Sequence, residues 1–260
     1  MKFEVGGERV FAATGSAPFD ATKPAVLFIH GAGMDHSVWV MPTRYFARHG
    51  FGVLAPDFPA HGRSGGNALT SISAMARWLV DVLDGLDVEQ TAVVGHSMGS
   101  LVAHSFARLY PDRCRALALL GTSAPMPVTD LLLNAAEDND HAAIDMANGW
   151  SHSARGKLGG NQNPGLWMLR GGERLLEKSA PGVFHTDLKA CNEFAASEGE
   201  VVRCPSLVIV GEADQMTPVR AGISVADTLP DATIVRLAGC GHAMMSERPN
   251  DVLDALIQIV

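Results

Sequence analysis

Apolar and polar residues alternate across Lys2–Val5 and Glu8–Ala13, on either side of Gly6-Gly7. That period predicts an antiparallel hairpin with one buried face. The pattern then changes to short apolar runs at Ala25–Ile29, Gly52–Ala55, Thr91–Val94, Ala116–Leu120, Ser206–Val210 and Thr233–Leu237. Runs of this kind, leaving through turns rich in glycine or proline, predict strands buried on both faces. Helical spacing fills the gaps: Ser37–His49, stopped by Gly50, and Ile72, Met75, Ala76, Leu79 and Leu83 behind Thr70 as predicted N-cap. A further apolar helix runs from the Gly95–Gly99 turn to about Tyr110, before Pro111. Strands alternating with helices predict an α/β fold, a mostly parallel, doubly wound sheet covered on both faces.

From about Ala124 to Val202 no buried strand is legible. Short amphipathic stretches such as Asp130–Glu137 and Leu166–Lys178 alternate with Gly, Asn and Pro clusters, loosest over Gly156–Gly165. The expected organisation is a core of residues 1–123 and 203–260, with a helical cap, 124–202, inserted between late strands over the carboxyl edge of the sheet.

Composition narrows the chemistry. With 260 residues, 47% hydrophobic and 18% charged, the chain is long enough for one large core and too apolar for disorder. A net charge of -8 with scattered Lys and Arg argues against nucleic acid, and against a phosphate or carboxylate pocket, so a neutral, apolar small molecule is the expected partner. Cys114, Cys191, Cys204 and Cys240 form no CxxC pair, so reduced thiols are expected. Met1–Val5 lacks the apolar run of a signal peptide, and no stretch is long enough to span a bilayer. The expectation is a cytoplasmic protein without membrane insertion, with monomer and homodimer both open.

Chemistry concentrates where strands end. In Gly95-His96-Ser97-Met98-Gly99 a strand reverses into a helix within about two residues, which holds Ser97 in strained geometry with its hydroxyl projecting. A serine hydroxyl is a weak nucleophile and needs a base, and the base needs a group fixing its tautomer. Asp214 follows the strand ending in Val210-Gly211, and His242 follows the last strand through Gly239 and Gly241. Thr217-Pro218 is predicted to start the next helix, with Thr217 as a capping hydroxyl. The order Ser97, Asp214, His242, each after a strand, is the order such a fold requires. Backbone N–H groups of Met98 and Ala32, the latter in the turn His30-Gly31-Ala32-Gly33, are the candidate oxyanion donors. His30 is expected to shape that turn.

Together with the loop Asp57-Phe58-Pro59-Ala60-His61-Gly62-Arg63-Ser64, these motifs resemble the α/β-hydrolase superfamily, and in particular its small cap-bearing serine esterases. The likeness spans nearly the whole chain, specific in the core and vague in the cap. It implies carboxylic ester hydrolysis through an acyl-enzyme on Ser97, with no metal and no organic cofactor, and a cap that selects the substrate. Relatives on this scaffold use the same triad on lactones and thioesters, for carbon–carbon bond hydrolysis, peracid formation or cyanohydrin cleavage, or as slow-turnover ligand receptors.

The substrate pocket is expected to draw on Gly31, Met34, Met126 and Met244, whose thioethers make a pliable apolar lining, and on Trp150 and Trp167 of the cap. Rival readings are weaker. His30 with His36 and Asp57 with His61 have no recognised metal-ligand spacing. Gly31-Ala32-Gly33 lacks the third glycine of a dinucleotide-binding turn.

Overall fold

A computed structural model describes residues 1–163, 165, 167–195 and 201–260. Its hairpin strands β1 (Lys2–Val5) and β2 (Glu8–Ala13) pair antiparallel, and β2 joins β4 (Gly52–Pro56), also antiparallel. From there every pairing is parallel, through β3 (Ala25–Ile29), β5 (Thr91–His96), β6 (Cys114–Leu120), β7 (Ser206–Gly211) and β8 (Ala232–Leu237). The sheet order is β1-β2-β4-β3-β5-β6-β7-β8. The expected mostly parallel sheet is therefore present. β3, β4, β5 and β7 are buried at every residue because helices cover both faces, which is why these strands are apolar without alternation.

One face carries α2 (Ile72–Asp84) and α3 (Met98–Leu109), whose Met75, Leu79, Leu101 and Phe106 pack on Leu27, Val93 and Leu117. The other carries α1 (Val40–Arg48) and the C-terminal α11 (Pro249–Ile257), with Trp39, Phe46, Val252 and Leu256 against Phe28, Val94 and Ile209. Each large side chain so buried contributes roughly 1.5–3 kcal/mol. Helix starts differ from expectation in detail. Ser71, not Thr70, caps α2 by accepting the Ala74 N–H at 3.2 Å. The Ser37–His49 stretch divides into a 3-10 turn, His36–Trp39, capped by Asp35, and α1.

Between β6 and β7 the described residues form α4 (Asp130–Glu137), α5 (His141–Ser151), α6 (Ala154–Lys157), α7 (Met168–Leu176) and α8 (Val183–Asn192). Leu132, Ala136, Ala143, Ala147, Leu176 and Leu188 give these helices an apolar cluster of their own. The expected helix Leu166–Lys178 corresponds to α7, two residues shorter at its C-terminal end; Leu166 itself lies outside the described residues, as do Pro164 in the Gly156–Gly165 loop and residues 196–200 of the 124–202 segment. After β7 come α9 (Val219–Ala226) and, beyond β8, α10 (Met244–Glu247). All four cysteines are free and buried, and no helix of the described residues is long and apolar enough to cross a membrane.

Candidate active site

The sheet delivers its chemistry at one edge. Ser97 follows β5 directly with φ 55 and ψ −123, a conformation L residues rarely adopt. The flanking glycines permit it: a Cβ on Gly95 would overlap the carbonyl of Gly99, and one on Gly99 the carbonyl of Ile29. The turn is clamped by Ser97 N–H donating to Leu120 O at 2.9 Å, and by Ser100 Oγ donating to Ser97 O at 2.6 Å.

His242, 2% exposed, places Nδ1 2.8 Å from Asp214 Oδ2. Asp214 is fixed in turn: its Oδ1 accepts the N–H groups of Met216 and Thr217, each at 2.8 Å, and its Oδ2 accepts the Thr217 hydroxyl at 2.7 Å. Thr217 therefore does not cap α9 as expected, since Pro218 stands at the cap and the hydroxyl serves Asp214. Burial alone would raise the pKa of Asp214, but the adjacent His242 and these hydrogen bonds outweigh it and hold the carboxyl below its ordinary value. An ionised carboxylate accepts only, so Nδ1 carries the proton and Nε2 the lone pair. That Nε2 is buried and has no hydrogen-bond partner among the described residues.

Two further groups hold the histidine loop, and neither has a local sequence signal. His96 Nε2 lies 2.9 Å from the carbonyl of His242, and Glu247, 3% exposed, accepts Gly241 N–H at 3.3 Å. The same carboxylate accepts Ser153 N–H at 2.9 Å and its hydroxyl at 2.5 Å, tying the loop to the start of α6. Gly121 lies under the imidazole ring, where a Cβ would stand 2.9 Å from His242 Cε1.

A cavity of about 210 Å³ opens over Ser97 and His242. Ala32, Met34, Met126 and Trp150 line it, joined by Leu132, Leu176, Phe184 and Leu188 from the inserted helices. Of the other expected pocket residues, Gly31 sits against the nucleophile, a Cβ there falling 3.3 Å from Ser97 Cβ. Met244 and Trp167 do not belong to the cavity. Met244 is fully buried in the core beneath α11, and Trp167 is 70% exposed at the start of α7. The Met98 N–H, at the first residue of α3, and the Ala32 N–H, beside the cavity, have no carbonyl acceptor in the described fold.

His30 is buried, its Nδ1 2.9 Å from Gly31 O and its Nε2 accepting the Phe58 N–H at 3.2 Å, so both nitrogens are spent on the turn. Asp57 pairs with His36 rather than His61: its Oδ1 accepts His36 N–H and faces Nδ1, both at 2.8 Å, and its Oδ2 accepts Arg63 N–H at 2.9 Å. Asp35, His36 and Asp57 bring potential metal ligands within 4.8 Å of one another, as do His141, Glu173 and Glu177 on the inserted helices. In the first group the Asp57 carboxylate is committed to the N–H groups of His36 and Arg63, and in the second Glu177 is paired with Arg174 at 2.8 Å.

Burial dictates a pH response. It pushes His30 down to about 4, with His61 adding to the shift; His96 down to about 3, with His242; and His104 down to about 4, with Arg108. In the unfolded chain all three return to about 6.5. Below that value unfolding takes up protons the native state refuses, so stability is full above pH 6.5 and is lost as pH falls toward 4. Each histidine costs about 1–2 kcal/mol on going from pH 7 to 5. Thermal melts should show Tm lower by on the order of ten degrees at pH 5. An unchanged Tm would mean that these side chains are solvated.

A serine on a strained strand-to-helix turn, a carboxylate-bound histidine and free backbone donors, all at the carboxyl edge of a parallel sheet, define an α/β-hydrolase fold. The family described as "alpha/beta hydrolase fold" matches residues 24–142. A pimeloyl-[acyl-carrier protein] methyl ester esterase of Aromatoleum aromaticum is 28% identical over 88% of this chain and 95% of its own. A 2-hydroxy-6-oxononadienedioate/2-hydroxy-6-oxononatrienedioate hydrolase of Paraburkholderia phymatum is 28% identical over 85% of this chain and 82% of its own. The solved structure of a thermophilic esterase superposes with a TM-score of 0.84 at 26% identity, covering 99% of this chain and 95% of that one. The chain has the α/β-hydrolase fold, its residues 24–142 match that family, and it is a hydrolase of that fold.

Proposed function

We propose that this hydrolase cleaves carboxylic esters with a small or medium, mainly apolar substituent, through an acyl-enzyme on Ser97. One observation carries the reading: His242, whose Nε2 is unpartnered among the described residues and bears the lone pair, lines the same cavity as Ser97. Substrate enters beneath residues 124–202, which act as the cap, and Ser97 Oγ attacks its carbonyl while Nε2 takes the hydroxyl proton. Charge on the former carbonyl oxygen meets the N–H groups of Ala32 and Met98, worth about 10²–10³ in kcat apiece. The imidazolium, stabilised by Asp214, returns the proton to the departing alcohol. Water then enters and attacks the acyl carbonyl as Nε2 takes its proton, and that proton passes to Ser97 Oγ as the acyl–oxygen bond breaks and the acid leaves.

The lining supports an apolar substrate, since Met126, Val128, Leu132, Trp150, Leu176, Phe184 and Leu188 surround the nucleophile. At about 210 Å³ the space is small beside the roughly 300–1,000 Å³ of drug-sized sites, which favours a short chain. The relatives' names include an acyl-carrier-protein methyl ester esterase, so an ester whose alcohol is small fits the same space.

A fluorophosphonate followed by peptide mass spectrometry tests the chemistry, and modification is expected at Ser97. Among 4-nitrophenyl esters, kcat/KM should peak at an acyl chain of about four to six carbons and fall steeply for long chains. Labelling elsewhere, or turnover confined to lactones or diketones in a matched panel, would overturn the ester reading.

A further inference from the structure

The cap helix α8 buries a carboxylate that belongs, by its hydrogen bonds, to the core. Asp187 is fully buried, and its Oδ2 accepts the N–H of Gly33 at 2.8 Å and lies 2.8 Å from His61 Nε2. Its other oxygen has no partner among the described residues, so the bonding of this carboxylate is concentrated on one atom. His61 Nδ1, 2.9 Å from the Pro59 carbonyl, must be a donor, so the proton between Nε2 and Oδ2 is a second one on the ring. Burial opposes protonation of His61, but the neighbouring carboxylate outweighs it and raises the pKa.

Gly33 directly follows Ala32, the proposed oxyanion donor. The peptide before Ala32 is held from the core, where His30 Nδ1 sits 2.9 Å from Gly31 O. The peptide after it lies inside a turn that the Met34 N–H closes onto Gly31 O at 3.2 Å, and its own N–H, that of Gly33, is taken from the cap by Asp187. Gly33 has a positive φ of 66, open to glycine without strain, so within the closed turn the tilt of this central peptide is set by its bond to Asp187. Phe184 and Leu176 press on the same glycine: a Cβ there would meet Phe184 Cδ2 at 2.8 Å and Leu176 Cδ2 at 3.1 Å. Both side chains also line the cavity over Ser97.

We propose that Asp187 is a positioning residue of the oxyanion hole: through the Gly33 N–H it aims the Ala32 N–H at the reacting carbonyl, so the cap completes the catalytic site as well as covering it. The inference rests on the ester-hydrolase reading above. Its consequence is specific, because a misaimed donor weakens binding of the transition state and leaves ground-state binding intact.

The test compares D187N and H61Q with wild type, using kcat and KM on 4-nitrophenyl butyrate and the Ki of an aryl trifluoromethyl ketone, whose adduct with Ser97 is an oxyanion. An Asn cannot present one oxygen to both Gly33 and a neutral His61 that already donates from Nδ1. In D187N kcat should fall about thirtyfold with KM within about threefold, and ketone affinity should fall in parallel. H61Q keeps the carboxylate on Gly33 and supplies an amide donor, so it should stay within about threefold of wild type in both. Folded D187N with wild-type kcat and Ki would overturn the proposal. Should D187N not fold, H61Q decides: retained ketone affinity supports the Gly33 bond as the active element, and its collapse overturns it. Failure of wild type to label at Ser97 is a separate result, which would remove the ester-hydrolase reading itself.

Discussion

Replacing Ser97 by alanine is expected to lower kcat/KM by about 10⁴- to 10⁶-fold while leaving the fold unchanged. The size of the loss follows from the proposed role: without Oγ no acyl-enzyme could form, and only the proposed oxyanion pair would act on bound ester and water. The stability expectation follows from the structure. Among the described residues no hydrogen bond ties the Ser97 side chain at the start of α3, whereas the clamps on the turn are the main-chain N–H and carbonyl of Ser97, which alanine retains. Alanine also has the same Cβ at the same positive φ, so backbone strain does not change. The Tm of S97A should lie within about two degrees of wild type, and fluorophosphonate labelling should disappear. Retention of more than a few per cent of wild-type turnover by folded S97A would place the nucleophile elsewhere.

Parts of this site are legible in sequence for a physical reason. Strands of a parallel sheet covered on both faces must be apolar throughout, and the turns leaving them must bend sharply, so Ala25–Ile29 with His30–Gly33 and Thr91–Val94 with Gly95–Gly99 each show both signals. The parts that stay hidden depend on facing or on distance. Met126 and Met244 look alike beside their loops, yet one lines the cavity and the other is core, because the turn of α10 sends Met244 toward the sheet. Thr217 before Pro218 has the appearance of a cap, and only the fold shows an acceptor, Asp214 Oδ2, closer at hand. Asp187 is a single acid in an ordinary amphipathic helix, separated from His61 by 126 residues. No local period can report such a pair.

The inserted helices and the sheet are thus joined by carboxylates on both sides of Ser97. Asp187 reaches from α8 to the Gly31–Met34 turn, and Glu247 reaches from α10 to Ser153 and Gly241. A buried carboxylate is costly unless its donors are held in place, so each enforces the geometry of the loops it joins. The inserted helices therefore contribute alignment as well as apolar lining, which is more than their amphipathic pattern indicates.

Asp214→Asn separates orientation of the base from its presence. The retained Oδ1 still accepts the N–H groups of Met216 and Thr217, so the side chain keeps its place and the new amide nitrogen falls where Oδ2 was. There it faces the Thr217 hydroxyl, which can rotate to accept, and His242 Nδ1, which can accept only by giving up its proton. The proton moves to Nε2, which on the proposed mechanism then becomes a donor unable to deprotonate Ser97. A loss of about 10⁴ in kcat is expected, with KM little changed. Stability follows a different course. The wild-type carboxyl is held below its ordinary pKa, so its contribution is present above about pH 4 and is lost as pH falls through the native value. Melts of D214N should therefore lie below wild type at pH 7 and converge with it in acid. Undiminished turnover in D214N would assign the orienting role to another acid, and Glu247, already bonded to Gly241 in the same loop, is the carboxylate that E247Q would then implicate.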